Sequence, residues 1–301
     1  MNYVFRDPMH LTMDALFQAS GVDGVRGRTE LFEKVVEGLT ALITKQREPG
    51  TETLRFPPVT NRSHIEKSGY LHSFPNLLGA VCCLHGDEAH IRNTVNGSKA
   101  AGEWVKELSP TDLVLTPAAC YPLYPLVAAR GAIPATGLVF DVAADCFRHE
   151  PSRDVDRLQS FRMREFVCMG TSDHVISFRE RWLAHAPEFA DLLGVKYKIE
   201  TASDPFFGRV GKIMAATQIE QAMKFELLIP VRSEQEPTAC MSFNYHRDHF
   251  GGKWGLRTDT GAVAHTGCVA FGIDRLGLAL FASHGLQLRS WPKQTREALS
   301  L

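Results

Sequence analysis

One stretch of the chain, from Phe147 to Met169, constrains the fold more than any other. Within it, two segments that alternate like β-strands flank a short run of charged residues. Arg148 and Glu150 are two residues apart, so a strand that carries both would place them on the same face. The intervening segment 151–157 is too charged to bury, which predicts an exposed loop. The stretch is therefore predicted to be a β-hairpin with charged side chains on one side.

The second strand of this predicted hairpin adds another carboxylate. Its alternating residues are Phe161, Met163, Glu165 and Val167. Arginine suits phosphate binding because its planar guanidinium donates to two oxygens at once. The hairpin alone therefore fits two descriptions: a phosphate-binding element, or an ordinary charged hairpin whose surface ion pairs contribute little to stability.

Length and charge narrow the class of protein. The chain has 301 residues, enough for one large domain or two ordinary ones. Its net charge is −1, so it has no overall positive field that would attract nucleic acid. The cysteines number seven, the N-terminal residues do not resemble a secretion signal, and no apolar run approaches the roughly 18 residues of a membrane span. We predict a cytoplasmic protein with reduced thiols and no membrane segment.

Apolar periodicity predicts how the rest of the chain is organised. Residues 30–46 carry an apolar stripe at helical spacing, and Pro49-Gly50 follows as a helix terminator. Residues 224–231 and 238–245 are predicted to be neighbouring antiparallel strands. Because strands in the second half follow one another directly, we predict an α+β fold with an antiparallel sheet flanked by helices. Neither a dinucleotide fingerprint nor a Walker P-loop is present, so arginine side chains would have to hold any nucleotide phosphates.

Three segments, in this order, resemble motifs 1, 2 and 3 of class II aminoacyl-tRNA synthetases. They are the helix and proline-bearing strand Glu30–Pro58, the hairpin Phe147–Glu165, and the helix start Gly272-Ile273-Asp274-Arg275-Leu276. Within that class the chain resembles the zinc-containing seryl-tRNA synthetases of methanogens, and still more their truncated homologues, the amino acid:[carrier protein] ligases. The resemblance implies one class II synthetase-like catalytic domain over residues 1–301. About thirty residues precede the motif 1 helix, so we expect no separate tRNA-binding domain.

The resemblance implies an enzyme that activates a small amino acid with ATP. The products would be pyrophosphate and an aminoacyl-adenylate, whose aminoacyl group passes to the phosphopantetheine thiol of a carrier protein. Glycine or alanine is the favoured substrate, followed by serine, and motif 1 implies a homodimer. Two alternatives stay open: a truncated seryl-tRNA synthetase-like enzyme that charges tRNA, and a non-catalytic regulatory paralogue. The near-neutral charge disfavours the first, and the intact motif residues disfavour the second.

The resemblance also assigns roles to individual residues in ATP binding. Arg148 is expected to contact the α-phosphate and the substrate carboxylate, and Arg275 the far side of the triphosphate. Both are predicted to be catalytic, because preorganised guanidiniums stabilise the charge that develops at phosphorus. Glu150 is expected to contact the adenine amino group and Phe161 to stack on the ring. Glu236 is the expected carboxylate for a Mg²⁺ ion that bridges phosphate oxygens.

A zinc site is the remaining implication of the resemblance. Cys120, Glu165 and Cys268 lie on separate segments, so their spacing reveals no site, and each alone is more often structural. The resemblance implies that all three bind Zn²⁺ and leave one tetrahedral position open, as catalytic sites do. Our hypothesis is that the substrate α-amino group takes that position. The full set of predicted substrate-binding residues is Cys120, Glu165, Ser242, Asn244 and Asp204.

A carrier protein would need a docking surface near this site. The predicted helix 215–223 and the residue after it are expected to expose polar side chains, namely Gln218, Glu220, Gln221 and Lys224. This face fits either a carrier-docking surface or an ordinary solvated helix face.

Overall fold

A computed structural model describes residues 13–98 and 102–301. Its strands are β1 (Phe17–Ala19), β2 (Arg26–Arg28), β3 (Glu52–Arg55), β4 (Val59–Asn61), β5 (Ala80–Leu84), β6 (Leu108–Leu115), β7 (Leu138–Phe147), β8 (Ser160–Gly170), β9 (Lys198–Thr201), β10 (Lys224–Ile229), β11 (Thr238–Arg247) and β12 (His265–Gly272). Its α-helices are α1 (Glu30–Lys45), α2 (Arg62–Lys67), α3 (Tyr70–Ser73), α4 (Glu88–Gly97), α5 (Leu123–Arg130), α6 (Ser172–Leu193), α7 (Gly208–Glu220), α8 (His249–Trp254), α9 (Ile273–His284) and α10 (Lys293–Leu299). Short 3₁₀ helices cover Glu103–Glu107 and Leu288–Ser290.

A seven-stranded sheet forms the centre of the fold. Its strand order is β3-β7-β8-β12-β11-β10-β9, and every neighbouring pair is antiparallel except β3 with β7. A separate three-stranded sheet has the order β4-β6-β5, and β1 pairs with β2. The predicted α+β class, with a mainly antiparallel sheet flanked by helices, is confirmed. The predicted antiparallel pairing of β10 with β11 is also confirmed.

The two faces of the central sheet pack against two different hydrophobic cores. Because side chains alternate along a strand, Phe166 and Cys168 of β8 face one core while Val167 and Met169 face another. The first core is covered by α1, α6, α9 and α10. The sheet face opposite α6 is therefore available for a site.

Helix α1 ends one residue earlier than predicted and has Thr29 as its N-cap, which accepts a hydrogen bond from the Phe32 backbone.

A buried ion cluster joins α1 to this sheet. The Arg164 side chain is fully buried, and its guanidinium donates to both carboxylate oxygens of Asp141, at 2.8 and 2.6 Å. It also donates to the Thr40 carbonyl and the Thr44 hydroxyl of α1. Arg55 of β3 donates to the same carboxylate at 3.2 Å. The Asp141 carboxylate therefore links β3, β7 and β8, and its partner Arg164 joins them to α1.

Two details of the hairpin prediction are wrong. Strand β7 ends at Phe147, so Arg148 and Glu150 lie beyond it and not on a strand face. The β7–β8 ladder continues for one more hydrogen bond, from the Arg148 N–H to the Gln159 carbonyl, and the chain then leaves the sheet because the next N–H donates to the Leu77 carbonyl and the Glu150 N–H to the Arg148 carbonyl. The charged loop is also not fully exposed, since the Asp156 carboxylate is buried against Thr238 and Arg232. Partners from a distant strand and loop make that burial tolerable.

Two properties of the whole chain bear on its surroundings. None of the helices within the described ranges is both long and apolar enough to cross a membrane. The seven cysteines are all free thiols.

Candidate active site

A cavity of about 370 Å³ lies against the sheet face that α6 does not cover. Its floor follows the cross-strand register. Lys224, Asn244 and Cys268 form one row across β10, β11 and β12. The next row consists of Glu226, Ser242, Ala270 and Glu165. The predicted site residues that line this cavity are Arg148, Glu150, Phe161, Arg275, Cys120, Glu165, Cys268, Ser242, Asn244 and Asp204.

Two anchored arginines line the cavity. Arg148 Nε donates to the Pro117 carbonyl at 3.0 Å, and its guanidinium carbon lies 5.5 Å from the centre of the Phe161 ring. Arg275 Nε and Nη1 donate to the carbonyls of Asp156 and Ala239, at 2.9 and 3.0 Å. Each guanidinium is thereby held on one edge. This arrangement suits two cations that must meet an anionic ligand without reorganising.

Glu236 is the one predicted site residue that does not line the main cavity. It is exposed and lines an adjoining groove together with Glu150, Arg157 and Arg232. Its role as a magnesium ligand stays a prediction.

Asp274, which precedes Arg275, holds the start of α9 in place. Its buried carboxylate accepts hydrogen bonds from Arg28 Nε at 2.8 Å and from Arg162 Nη2 at 2.8 Å. Burial opposes its ionisation, but the charges of Arg28 and Arg162 outweigh this and lower the pKa of Asp274. The aspartate therefore ties β2 and β8 to the helix that presents Arg275.

At the Cys120 end of the cavity, the two thiols and the carboxylate predicted as zinc ligands lie close together. The Cys120 backbone N–H donates to Glu165 Oε1 at 3.0 Å, and the Glu165 carboxylate lies close enough to both thiols for its charge to act on them. All three side chains are buried. Burial and the neighbouring Glu165 charge raise the pKa of both thiols, and burial raises the pKa of Glu165. Cys120 belongs to the segment 116–120, whereas Glu165 and Cys268 lie on the paired strands β8 and β12.

The donor types of this cluster fit Zn²⁺, which prefers cysteine sulfur and also takes carboxylate oxygen. The described residues, 13–98 and 102–301, contain no group of three or more His, Cys, Asp and Glu side chains arranged to hold a metal ion. Zinc at Cys120, Glu165 and Cys268 therefore stays a prediction.

Polar neighbours surround the Cys268 thiol. Asn244 Nδ2 lies 3.4 Å from Cys268 Sγ and 2.9 Å from Ser242 Oγ. His246 Nε2 lies 3.7 Å from the same sulfur, and its Nδ1 is 3.0 Å from Thr266 Oγ1. Burial lowers the pKa of His246 to about 4, so the ring is neutral at physiological pH.

A polar network joins this end of the cavity to α7. Lys224 Nζ donates to Asp204 at 2.6 Å and contacts Glu226 at 3.0 Å. Gln218 of α7 donates to Asp204 at 2.9 Å and accepts from the Asp204 backbone N–H. Burial opposes ionisation of Asp204, but Lys224 outweighs it and lowers the pKa of the carboxyl group. The predicted exposure of Lys224 is wrong, because this side chain is buried as the partner of two partly buried carboxylates, Asp204 and Glu226.

Sequence reasoning missed several residues of the cavity wall. Tyr70 and Tyr121 pack edge to face, with ring centres 5.4 Å apart, and both line the cavity. Glu226 lies in its floor. Their segments carry no recognisable motif, and only alternation along 224–231 could have placed Glu226 beside Lys224 on the same face.

No protein-family model matches the chain. Two proteins of Bradyrhizobium diazoefficiens, amino acid–[acyl-carrier-protein] ligases 1 and 2, are 60% and 59% identical to it over 295 residues. These matches cover 98% of this chain and 90% and 88% of the relatives. A type-2 serine–tRNA ligase of Methanopyrus kandleri is 25% identical over 89% of this chain but only 54% of its own length.

Solved structures agree on the fold. The M. kandleri seryl-tRNA synthetase, solved in complex with A. aeolicus tRNASec, has a TM-score of 0.83 at 22% identity, covering 98% of this chain and 60% of that one. The cytoplasmic serine–tRNA ligase of Naegleria fowleri has a TM-score of 0.66 at 12% identity, with coverages of 92% and 61%. The fold is therefore that of a class II synthetase catalytic domain. The sequence identity is more specific: the chain belongs to the amino acid–[acyl-carrier-protein] ligases, and it is a ligase.

Proposed function

We propose that this protein uses ATP to activate a small amino acid and then loads it onto the phosphopantetheine thiol of a carrier protein. The observation that carries the proposal is one cavity that is lined both by anchored arginines and by a cluster of two thiols and a carboxylate. An anionic triphosphate suits the arginines, and an amino group suits the thiol cluster. The names of the close relatives favour a carrier protein as the acceptor.

In the first step, an oxygen of the amino acid carboxylate attacks the α-phosphorus of ATP. The bond from that phosphorus to the leaving oxygen breaks, and pyrophosphate departs. Arg148 and Arg275 would stabilise the negative charge on the phosphate oxygens, and both guanidiniums are already held by backbone carbonyls. Phe161 would stack on adenine and Glu150 would accept from its amino group. Glu236 would hold Mg²⁺ at the neighbouring groove.

In the second step, the carrier thiol sulfur attacks the acyl carbon of the adenylate. The carbon–oxygen bond to AMP breaks, the thiol proton passes to solvent, and a thioester remains. Ser242 and Asn244 lie on the cavity floor beside the thiol cluster, where they would hold the substrate amino end. Asp204 would close this end together with its partner Lys224.

We also propose that Cys120, Glu165 and Cys268 hold Zn²⁺ through two sulfurs and one carboxylate. When bound, the metal would take the α-amino group in its unprotonated form and so select amino acids over other carboxylic acids. The three residues serve this purpose because they are buried at the same end of the cavity.

Removing one thiol tests this zinc assignment. Cys120→Ser is expected to lose stoichiometric zinc, measured by atomic absorption after dialysis, because a neutral hydroxyl is a far weaker ligand than a thiolate. Cys168→Ser is the matched control, since that buried thiol lies on β8 but faces the opposite core. Zinc retained at one ion per chain in Cys120→Ser would show that the assignment is wrong.

The amino acid is proposed to be glycine or alanine, with serine next. Buried Lys224, its partner Asp204, and the rings of Tyr121 and Phe250 line the cavity beside the thiol cluster. One methyl group changes discrimination by only about 1–3 kcal/mol, so the two smallest amino acids are expected to compete for the site.

The carrier is proposed to dock on α7, which begins beside the cavity mouth. This helix exposes Val210 at 70% and Ile213 at 64%, although its Met214 and Gln218 line the cavity. Arg209 and Lys212 add positive charge to the same exposed surface. An apolar surface flanked by cations suits a partner with apolar and acidic groups around its prosthetic arm.

Val210→Asp tests this docking surface. It is expected to raise the KM for the carrier by about tenfold or more, because a carboxylate replaces an apolar contact and repels an acidic partner. Pyrophosphate exchange should not change. Val95→Asp is the matched control, because Val95 is 56% exposed on α4 and does not line the cavity. Equal effects of the two substitutions on carrier loading would contradict the assignment.

A transfer assay tests the function as a whole. Purified protein, ATP, Mg²⁺ and labelled glycine, alanine or serine are incubated with either total tRNA or a phosphopantetheinylated carrier. We expect label on the carrier and none on tRNA, which also identifies the amino acid. Label on tRNA would instead support a seryl-tRNA synthetase-like enzyme. Label on neither, without pyrophosphate exchange, would support a regulatory paralogue.

Three further properties accompany this proposal. We propose a homodimer built through α1 and β3, the elements that correspond to motif 1. Light scattering would then give a mass of twice the 33.4 kDa of one chain.

We propose that tRNA is not a partner, in keeping with the net charge of −1. The free thiols are consistent with a reducing, cytoplasmic location.

A further inference from the structure

Tyr70 is a residue of the cavity wall to which neither the motifs nor the proposed steps give a role. Its side chain is only 4% exposed, yet it lines the cavity. Its hydroxyl is buried and has no hydrogen-bond partner among the described residues. A buried hydroxyl without a partner costs free energy, so the position is costly unless something else binds there. The cavity is the side from which such a partner can come.

The surrounding structure holds the Tyr70 ring in a defined place. The ring packs against Phe74 and Tyr121, with centre distances of 5.1 and 5.4 Å. Gly69, just before it, has φ +84°, a conformation that glycine adopts without strain and that turns the chain between α2 and α3. The α8 residues Trp254 and His249 hydrogen-bond the preceding Ser68. The hydroxyl is therefore held by packing on its ring and by anchors on its backbone.

The charges near Tyr70 indicate what it would meet. Arg148 is close enough that its charge acts on the phenol, and Glu150 and Asp204 act on it more weakly. Only Nε of Arg148 is engaged by the described residues, through the Pro117 carbonyl, and the other two nitrogens form no hydrogen bond with them. A neutral donor beside a guanidinium is suited to an oxygen that carries partial negative charge.

We propose that the Tyr70 hydroxyl, together with Arg148, donates a hydrogen bond to the acyl oxygen of the bound aminoacyl group. This inference rests on the proposed function, since the oxygen belongs to the amino acid carboxyl group. In the attack by the carrier thiol, electrons move from the carbon–oxygen double bond onto this oxygen, and they return when the bond to AMP breaks. Tyr70 stabilises that charge and keeps its own proton.

The electrostatic setting agrees with a donor that stays protonated. Burial raises the pKa of Tyr70 to about 12, although the Arg148 charge opposes the rise. At physiological pH the hydroxyl therefore carries its proton and can donate a hydrogen bond. The residue acts through hydrogen bonding, not through proton transfer.

Two ligands distinguish this role from a merely structural one. An aminoacyl-sulfamoyl adenosine keeps the acyl oxygen, whereas the matching amino-alcohol ester of AMP has a methylene group in its place. Tyr70→Phe is expected to weaken binding of the first by about 10- to 100-fold, as for loss of one hydrogen bond to a charged or polarised group. Binding of the second should be unchanged. Calorimetry measures both dissociation constants without any turnover.

The controls separate this inference from the proposed function. Tyr197→Phe makes the same change on a half-buried tyrosine that packs against the first core and does not line the cavity, so it should bind both ligands like the unsubstituted protein. Thermal unfolding shows whether Tyr70→Phe is folded. If Tyr70→Phe binds both ligands normally, or weakens both equally, the inference is wrong and the proposed function is unaffected. If the unsubstituted protein binds neither ligand, both are wrong.

Discussion

Replacing Arg148 with alanine is expected to lower amino-acid-dependent pyrophosphate exchange by about 1,000-fold or more. This expectation follows from other arginines that stabilise charge in phosphoryl transfer, whose loss lowers kcat by about 10³- to 10⁵-fold. Arg148 is suited to this role because a backbone carbonyl holds its Nε at 3.0 Å while the rest of the guanidinium lines the cavity. The substitution should affect kcat more than KM if the contact strengthens in the transition state.

Arg153→Ala is the matched control for this prediction. Arg153 belongs to the charged loop that follows Arg148, but its side chain is 90% exposed and, among the described residues, forms an ion pair only with the exposed Asp23 carboxylate, at 3.4 Å. An exposed pair of this kind contributes little, so exchange should stay within about twofold of the unsubstituted protein. Exchange that survives in Arg148→Ala within about tenfold would show that Arg148 is not part of the catalytic machinery.

Asp141→Asn is expected to lower the free energy of unfolding by about 3–5 kcal/mol. The amide cannot balance the buried Arg164 charge, and an unpaired buried charge is among the most costly defects in a protein interior. Burial opposes ionisation of Asp141, but hydrogen bonds from Arg164 and Arg55 outweigh it and lower its pKa. A carboxyl group whose pKa is lowered by folding stabilises the folded protein at pH values above the pKa that it has in the unfolded chain. That stabilisation is therefore present at neutral pH and is lost as the pH falls below about 4.

Denaturant unfolding monitored by tryptophan fluorescence measures this effect. Glu52→Gln is the matched control because its ion pair with Arg130, at 2.7 and 2.8 Å, is solvent-exposed on both sides. Removing that pair should cost less than about 1 kcal/mol. A loss below 1 kcal/mol in Asp141→Asn would mean that water or other groups compensate for the missing charge.

Local patterns were sufficient for much of the architecture. The apolar stripe of residues 30–46 predicted α1 to within one residue, because helical periodicity is a property of the backbone alone. Alternation in β8 correctly predicted that Phe161, Met163 and Glu165 share a face. The resemblance to three ordered motifs predicted the fold and the ligase class, which are confirmed. The amino acid, the metals and the dimer stay predictions.

Local patterns could not predict which residues from distant segments contact each other. Arg148 lies beyond the end of β7 because the chain leaves the sheet where the next N–H donates to the Leu77 carbonyl, a contact that alternation cannot reveal. Lys224 is polar and was expected at the surface, yet it is buried because Asp204, from a separate loop, is its partner. Helical and strand periodicity are decided by neighbours along the chain, whereas such pairings depend on long-range packing.

The sequence by itself therefore determined the elements, their order and the chemistry that the chain carries. Only the tertiary structure decided which side chains share a cavity. Cys268 and Glu165 lie in adjacent rows of the sheet because β12 and β8 pair in one register, and a shift by one residue would turn them to opposite faces. Tyr70 enters the same cavity through a turn held by α8. Register and packing are set by the whole core, and for that reason no short segment can encode the site.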